Sequence, residues 1–327
     1  MPDVAFVSPI ASALVTLLLI AWMLSAREGL PLDVPNRRSL HVLPVPRSGG
    51  IAMMAGVFAG FALMQTPLAV VLSAAVLVAF SHFDDALGLP IALRLAAQLA
   101  AATAFAYSTL PAIALPVLVP LILGILWMTN LYNFMDGADG LAGGMTLLGF
   151  SFLGTGASMS GDEALAIDCA IVAAAGGAFL LFNFPPARLF MGDAGSIPLG
   201  FLAAAFALAG WRDGDWPSWF PAVVFAPFIT DATLTLVKRL ASGKRIWEAH
   251  NQHYYQRLVR MGWGHRTTAL TEYALMLACG ATALWALREP LYLQLCALLA
   301  LVALHALLAL RVDSAWRHRQ NKPIESA

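Results

Sequence analysis

A helix of about 20 mostly apolar residues is long enough to cross the hydrocarbon of a bilayer, and this 327-residue chain holds about eleven such runs. Their centres fall near Leu17, Val57, Ala75, Ala101, Leu121, Phe150, Ala173, Ala204, Val223, Met276 and Leu301. Thr66 and Pro67 part the second run from the third only weakly. Composition agrees: 60% of residues are hydrophobic and 12% charged, against about 45–50% and about 25% in soluble domains. The fold expected is an all-α polytopic membrane protein, a single integral membrane domain over residues 1–327. Its longest polar stretches are 27–50 and the histidine-containing loop at 238–266, so no soluble domain is expected. The opening "MPDVAF" has no base before the first apolar run, unlike a cleavable signal. Cys169, Cys279 and Cys296 lack pairing or metal spacing and read as packing residues. Net charge is zero, which suggests no general affinity for nucleic acid.

Basic residues set the orientation. With the N-terminus outside, Arg27, Arg37, Arg38, Arg47, Arg94, Arg188, Lys238, Arg239, Lys244, Arg245, Arg257, Arg260, Arg266, Arg311, Arg317, Arg319 and Lys322 fall inside. That is seventeen of nineteen, leaving only Arg212 and Arg288 outside. The positive-inside rule then gives an external N-terminus and a cytoplasmic C-terminus, provided the helix parity is right. Trp211, Trp216 and Trp219 group at an outer boundary, as an aromatic belt would.

Four polar motifs then land on the cytoplasmic face. "SHFDDALGLP" carries Asp84 and Asp85, and "NLYNFMDGADGLAGG" carries Asn130, Asn133, Asp136 and Asp139. "FNFPPARLFMGDAGSIPLG" carries Asp193, and "WEAHNQHYYQRL" carries His250 and His253. Acids at the hydrocarbon boundary are costly unless they face a polar cavity or a partner. Five cannot compensate one another, but a divalent cation can. Carboxylate and amide oxygens are hard ligands that suit Mg²⁺, with Mn²⁺ as the alternative. Lys244 and Arg245 offer charge for phosphate. Gly137, Gly140, Gly192 and Gly195 allow close backbone approach, and "MGDAGS" offers free N–H groups at a helix start. The residues therefore point to a membrane enzyme that handles a phosphorylated substrate with a divalent metal.

Each motif alone has a blander reading. "DGADG" echoes a calcium loop but lacks the downstream bidentate Glu. A lone "DD" is more often a cap or a solvated face, "GDAGS" a turn, and a pair of loop histidines surface residues. The bland reading explains poorly why all four share one face. The competing function is an ion- or proton-coupled transporter using intramembrane acids, but such proteins usually keep their sites at the midplane and show repeated halves. A phosphatidyl-alcohol transferase would show a compact DG…AR…G…D…D helix pair, which is absent. Asp168 lies deeper and has no evident role, and Asp162, Glu163, Asp213 and Asp215 read as outer loop charges.

Taken together, "FDDALGL", "NLYNFMDGADGLAGG", "FNFPPARLFMGDAGS" and the histidine loop, in this order, resemble the polyprenyl-phosphate N-acetylhexosamine-1-phosphate transferases. The likeness runs from "RRSLHVLPVPRSGG" to "HRTTAL". It implies transfer of a sugar-1-phosphate from a UDP-N-acetylhexosamine to undecaprenyl phosphate, with release of UMP. It implies Asp193 as main metal ligand, with Asp136 beside it, and Asp84 and Asp85 as an acid pair near metal and lipid phosphate. Asn133, Asp136 and Asp139 would line the nucleotide-sugar side, and His253, with His250, would place the diphosphate or sugar. After His253 stand Tyr254, Tyr255 and Gln256 rather than further histidines. This resembles the branch making O-antigen (lipopolysaccharide) or other surface polysaccharides more than the peptidoglycan enzyme. Asp231 in "PFITDATLTLVKR" also sits in a family-like context. A bacterial cytoplasmic (inner) membrane location follows from the resemblance, and a homodimer is a further expectation.

Overall fold

The structure is a computed structural model that describes residues 2–26, 30–35, 39–245, 248 and 250–321. Arg27, Arg37, Arg38 and Lys322 of the basic-residue pattern lie outside the described residues. Helices cover all eleven apolar centres: α1 (Pro2–Ala26), α2 (Gly49–Met64), α3 (Leu68–Leu87), α4 (Ile91–Thr109), α5 (Leu115–Phe134), α6 (Leu141–Ser160), α7 (Glu163–Asn183), α8 (Asp193–Asp213), α9 (Trp219–Val224), α10 (Ala226–Ala241), α12 (Gly264–Ala286) and α13 (Leu291–Gln320). The short α11 (Tyr254–Leu258) and a π-helical turn (Val259–Trp263) lead into α12. Among the described residues, eight helices are long and apolar enough to cross a membrane. The chain is thus a multi-span membrane protein.

Two features depart from a plain run of spans. The ninth predicted segment is split into α9 and α10 at Phe225. Pro227 explains the break, because its ring excludes the carbonyl of the preceding turn and it donates no N–H. The segment between α1 and α2 holds a small antiparallel ladder, with β1 (Leu32–Asp33) paired to β2 (Val45–Pro46).

α8 lies at the centre of the bundle and α13 at its edge: 78% of the apolar window of α8 is buried, against 17% for α13. Asp168, left without a role by the sequence, and Trp216, expected in the outer aromatic belt, both serve packing. Asp168 on α7 accepts a hydrogen bond from Thr66 Oγ1 at 2.6 Å, and so ties down the α2–α3 turn. Trp216 is buried rather than part of a lipid-facing belt. It packs on Phe220 at 5.2 Å, and its Nε1–H donates to the Ala207 carbonyl.

The segment before α2 docks on the segment before α8. Phe190 N–H donates to Pro46 O at 2.7 Å, Gly49 N–H to Phe190 O and Gly50 N–H to Met191 O. A Cβ on Gly50 would fall on the Gly195 backbone, so only glycine permits this approach. The contact places Arg47 beside the start of α8.

Candidate functional site

Asp84 and Asp85 end α3, and each is met by an arginine. Arg94 Nη1, from the first turn of α4, lies 3.1 Å from Asp84 Oδ2 and 3.8 Å from Asp193 Oδ2. Arg47 Nη2 lies 3.4 Å from Asp85 Oδ1. The Leu89 N–H closes the turn after α3 on Asp84 Oδ1 at 2.8 Å. Asp193 opens α8 after Gly192, whose φ of 71° suits glycine. Asn133, at the end of α5, donates through Nδ2 to Asp193 Oδ1 at 3.0 Å and to Ser196 Oγ at 3.1 Å. Asp136 stands next to Asp193: burial first, and repulsion from Asp193 second, push its carboxyl well above the usual range, against a hydrogen bond from the Gly192 backbone. Asp84, Asp85, Asn133, Asp136 and Asp193 therefore meet at one end of the bundle with two guanidinium groups.

That cluster is short of positive charge. Among the described residues no three His, Cys, Asp or Glu side chains form a ready-made metal cage. Mg²⁺ does not need one, since it typically binds one or two carboxylates and completes its shell with water and substrate phosphate. The adjacent carboxyls of Asp136 and Asp193 fit that habit. Nearby, Arg47 Nε and Ser48 Oγ are buried without a hydrogen-bond partner among the described residues. Such donors suit an anionic ligand.

Asp139 belongs to a second network. His265 Nδ1 lies 3.1 Å from Asp139 Oδ1, and its Nε2 lies 3.2 Å from Leu40 O. The Ala187 N–H donates to Asp139 Oδ2 at 3.0 Å. Burial alone would raise this carboxyl, but the hydrogen bonds from His265 and Ala187, with the nearby His41, hold it below the usual range. Asp139 thus joins three polar segments, 39–41, 135–140 and 184–192, and its known partners are protein groups.

The histidine loop is built on Asp231. Asp231 Oδ1 takes His253 Nδ1 at 3.0 Å and the Tyr254 N–H at 2.9 Å, and its Oδ2 takes the Tyr255 N–H at 2.9 Å. His253 is the N-cap of α11 and forms a capping box with Gln256. It is buried and stacks with His250 (4.9 Å between ring centroids) and Phe134 (6.1 Å). Tyr255 Oη donates to Phe134 O at 3.0 Å, which ties the loop to the end of α5 and so to Asn133. Burial, then repulsion from His253 and Arg239, push His250 down to about 4. No contact joins Lys244 or Arg245 to the acids among the described residues. Both are exposed, and Arg245 pairs with Glu248 at 3.2 Å.

Sequence reasoning missed Arg47 and Arg94 as partners of the acids, and gave His265 no role. Their signal was weak: each is one more base in a polar loop or at a helix end. Asp231 was singled out, but what it binds is set by tertiary contacts.

The fold and site define a polytopic helical membrane protein with an acid cluster, met by two arginines, at one end of its bundle. The chain belongs to glycosyl transferase family 4, whose family model matches residues 67–211. It is 31% identical over 303 residues to the decaprenyl-phosphate N-acetylglucosaminephosphotransferase of Mycobacterium tuberculosis, covering 77% of this chain and 74% of that one. It is 29% identical over 262 residues to a probable undecaprenyl-phosphate N-acetylglucosaminyl 1-phosphate transferase of Bacillus subtilis, covering 74% and 73%. A phospho-N-acetylmuramoyl-pentapeptide-transferase of Staphylococcus aureus is 31% identical over 157 residues, 48% of each chain. The family resemblance read from the motifs is therefore correct.

Proposed function

We propose that this protein transfers N-acetylhexosamine-1-phosphate from a UDP-sugar to undecaprenyl phosphate at the cytoplasmic face of a bacterial inner membrane. The product is the lipid-diphosphate-linked first sugar of a cell-surface polysaccharide. The observation that carries the reading is the meeting of Asp84, Asp85, Asn133, Asp136 and Asp193 with Arg47 and Arg94 at one end of the bundle. The two relatives matched over about three quarters of their length are named as transferases of N-acetylglucosamine phosphate, which favours UDP-N-acetylglucosamine as donor.

In this reading an oxygen of the lipid phosphate attacks the sugar-bearing phosphorus, and the bond from that phosphorus to the UMP oxygen breaks. UMP leaves with the electron pair. The acceptor is already an anion near neutral pH, so no strong base is required. Phosphoryl transfer depends mainly on positioning and charge neutralisation. Asp193 and Asp136 would hold Mg²⁺, which when bound neutralises charge on diphosphate oxygens. Asn133 holds Asp193 in place. Arg94 and Arg47 are held by Asp84 and Asp85, and so are aimed before any phosphate arrives. His253, locked by Asp231 and buried against Phe134, would help place the donor from the side of the histidine loop. Asp139 shapes the loop that carries Asp136. Lys244 and Arg245 contribute charge farther out.

The test is an assay of membranes carrying the protein with polyprenyl phosphate, Mg²⁺ and a panel of radiolabelled UDP-N-acetylhexosamines. A labelled lipid and stoichiometric UMP are expected with at least one donor. Neither product with any donor would sink the proposal.

A further inference from the structure

Asp313, on the peripheral α13, sits outside the acid cluster yet is wired to the histidine loop. Its Oδ1 accepts from Arg257 Nη1 at 2.8 Å, and its Oδ2 pairs with Lys238 Nζ of α10. Tyr254 Oη lies 3.4 Å from the same Oδ2 and accepts from Lys238 at 2.5 Å. Arg257 and Lys238 both lie over the Tyr254 ring, at 5.0 and 5.2 Å from its centroid. Arg257 Nε also donates back to Gln252 O at 2.7 Å, just ahead of His253. Tyr254 is thus gripped twice: its backbone N–H by Asp231 and its ring and hydroxyl by the cations that Asp313 holds.

The rest of α13 gives little purchase. Among the described residues Leu301 and His305 are its buried positions. Its C-terminal end docks on the histidine loop through the Asp313 ion pairs and through Trp316, whose ring lies 4.9 Å from the Arg260 guanidinium. Asp313 and Arg257 are only 17% and 13% exposed, so their attraction is little screened. Loss of this contact frees a loop without opening a core.

We propose that Asp313 is a positioning residue: through Arg257, Lys238 and Tyr254 it makes α13 a latch that holds His253 at the donor side of the site. This rests on the proposed transferase reading, in which His253 places the sugar diphosphate.

The experiment compares Asp313→Asn, Asp313→Glu and Arg257→Gln with the wild type in lipid nanodiscs, by amide hydrogen exchange and by transferase kinetics. In Asp313→Asn the amides of Tyr254 and Tyr255 should exchange at least about tenfold faster, with the thermal midpoint within about two degrees. The KM for the UDP-sugar should rise about fivefold or more while that for polyprenyl phosphate stays within about twofold. Asp313→Glu should restore most of both losses, and Arg257→Gln, which cuts the latch from the loop side, should repeat them. Unchanged exchange at Tyr254 and Tyr255 overturns the latch, and so does faster exchange with unaltered donor kinetics. Equal loss toward donor and acceptor also overturns it, as does failure of Asp313→Glu to recover. If Asp313→Asn does not fold, Arg257→Gln carries the same outcomes. A wild type that transfers no sugar phosphate defeats the functional reading instead, and the exchange measurement still decides the latch.

Discussion

Asp193 and Asp139 have similar sequence surroundings and opposite jobs. Asp193 lies within electrostatic reach of Asp136, with Arg94 at 3.8 Å and an amide donor from Asn133. Asp139 is saturated by His265 and the Ala187 N–H. Two different experiments should therefore separate them. Asp193→Asn should keep the fold and cut turnover by at least about 100-fold, the scale of losing one main electrostatic group; activity near wild type would refute its role as ligand. A chelator should abolish wild-type activity and added Mg²⁺ should restore it. Asp139→Asn should instead destabilise by about 1–3 kcal/mol, the cost of unmaking buried charge-assisted hydrogen bonds. The sign follows from the depressed carboxyl of Asp139. A carboxyl lower in the folded state stabilises above the unfolded value, about 3.9, and loses that contribution as pH falls through the folded value. The gap in thermal stability between Asp139→Asn and wild type should thus hold from neutral pH to about 5 and close below about 4. A gap that persists unchanged below about 4 would show that the Asp139 carboxylate is not its source. The acids themselves were legible in the sequence, because charge at the end of an apolar helix is expensive. That Asp139 is saturated by protein groups while Asp193 stays within the acid cluster was not, because it depends on which loop meets which.

At the scale of elements, the site exists because short segments cross-brace the ends of long helices. The segment 46–50 lies on 190–195, the α5–α6 loop is tied through Asp139 and Gly140, and α11 is tied to the end of α5 through Tyr255. The glycines make these approaches close enough for backbone hydrogen bonds. Gly50→Ala should therefore push the Arg47 segment away from α8. The expected cost is about 1–3 kcal/mol, as for overpacking elsewhere. Activity should fall because Arg47 moves off Asp85. A variant with wild-type thermal midpoint and activity would show that the contact tolerates a methyl group. Helix existence was legible from apolar runs of the right length. The split between α9 and α10 was not, although Pro227 marks the place, because α9 and α10 together still make one apolar run. The β1–β2 ladder was also hidden: two-residue strands carry no periodicity and are held by docking.

For the whole molecule, what matters is which side the acid-bearing end faces. The base distribution argues for the cytoplasm, with seventeen of nineteen Lys and Arg on that side if every apolar run crosses once. α9 and α10 are where the chain could turn back, since neither half, at 6 and 16 residues, is a full span. Glu163 at the start of α7 and Lys244 after α10 bracket the question: α7 and α8 return the chain to its starting side, so the α9–α10 pair alone decides whether the two residues are opposed. Both are exposed. Single cysteines at Glu163 and Lys244, in a background with Cys296→Ser, should react differently with a membrane-impermeant maleimide. In intact cells with an opened outer layer, Glu163→Cys should label and Lys244→Cys should label only after permeabilisation. Labelling of both from outside would make the α9–α10 pair a re-entrant hairpin and place the histidine loop away from the nucleotide sugar. The reverse pattern would invert the protein and leave its acids without a cytoplasmic donor.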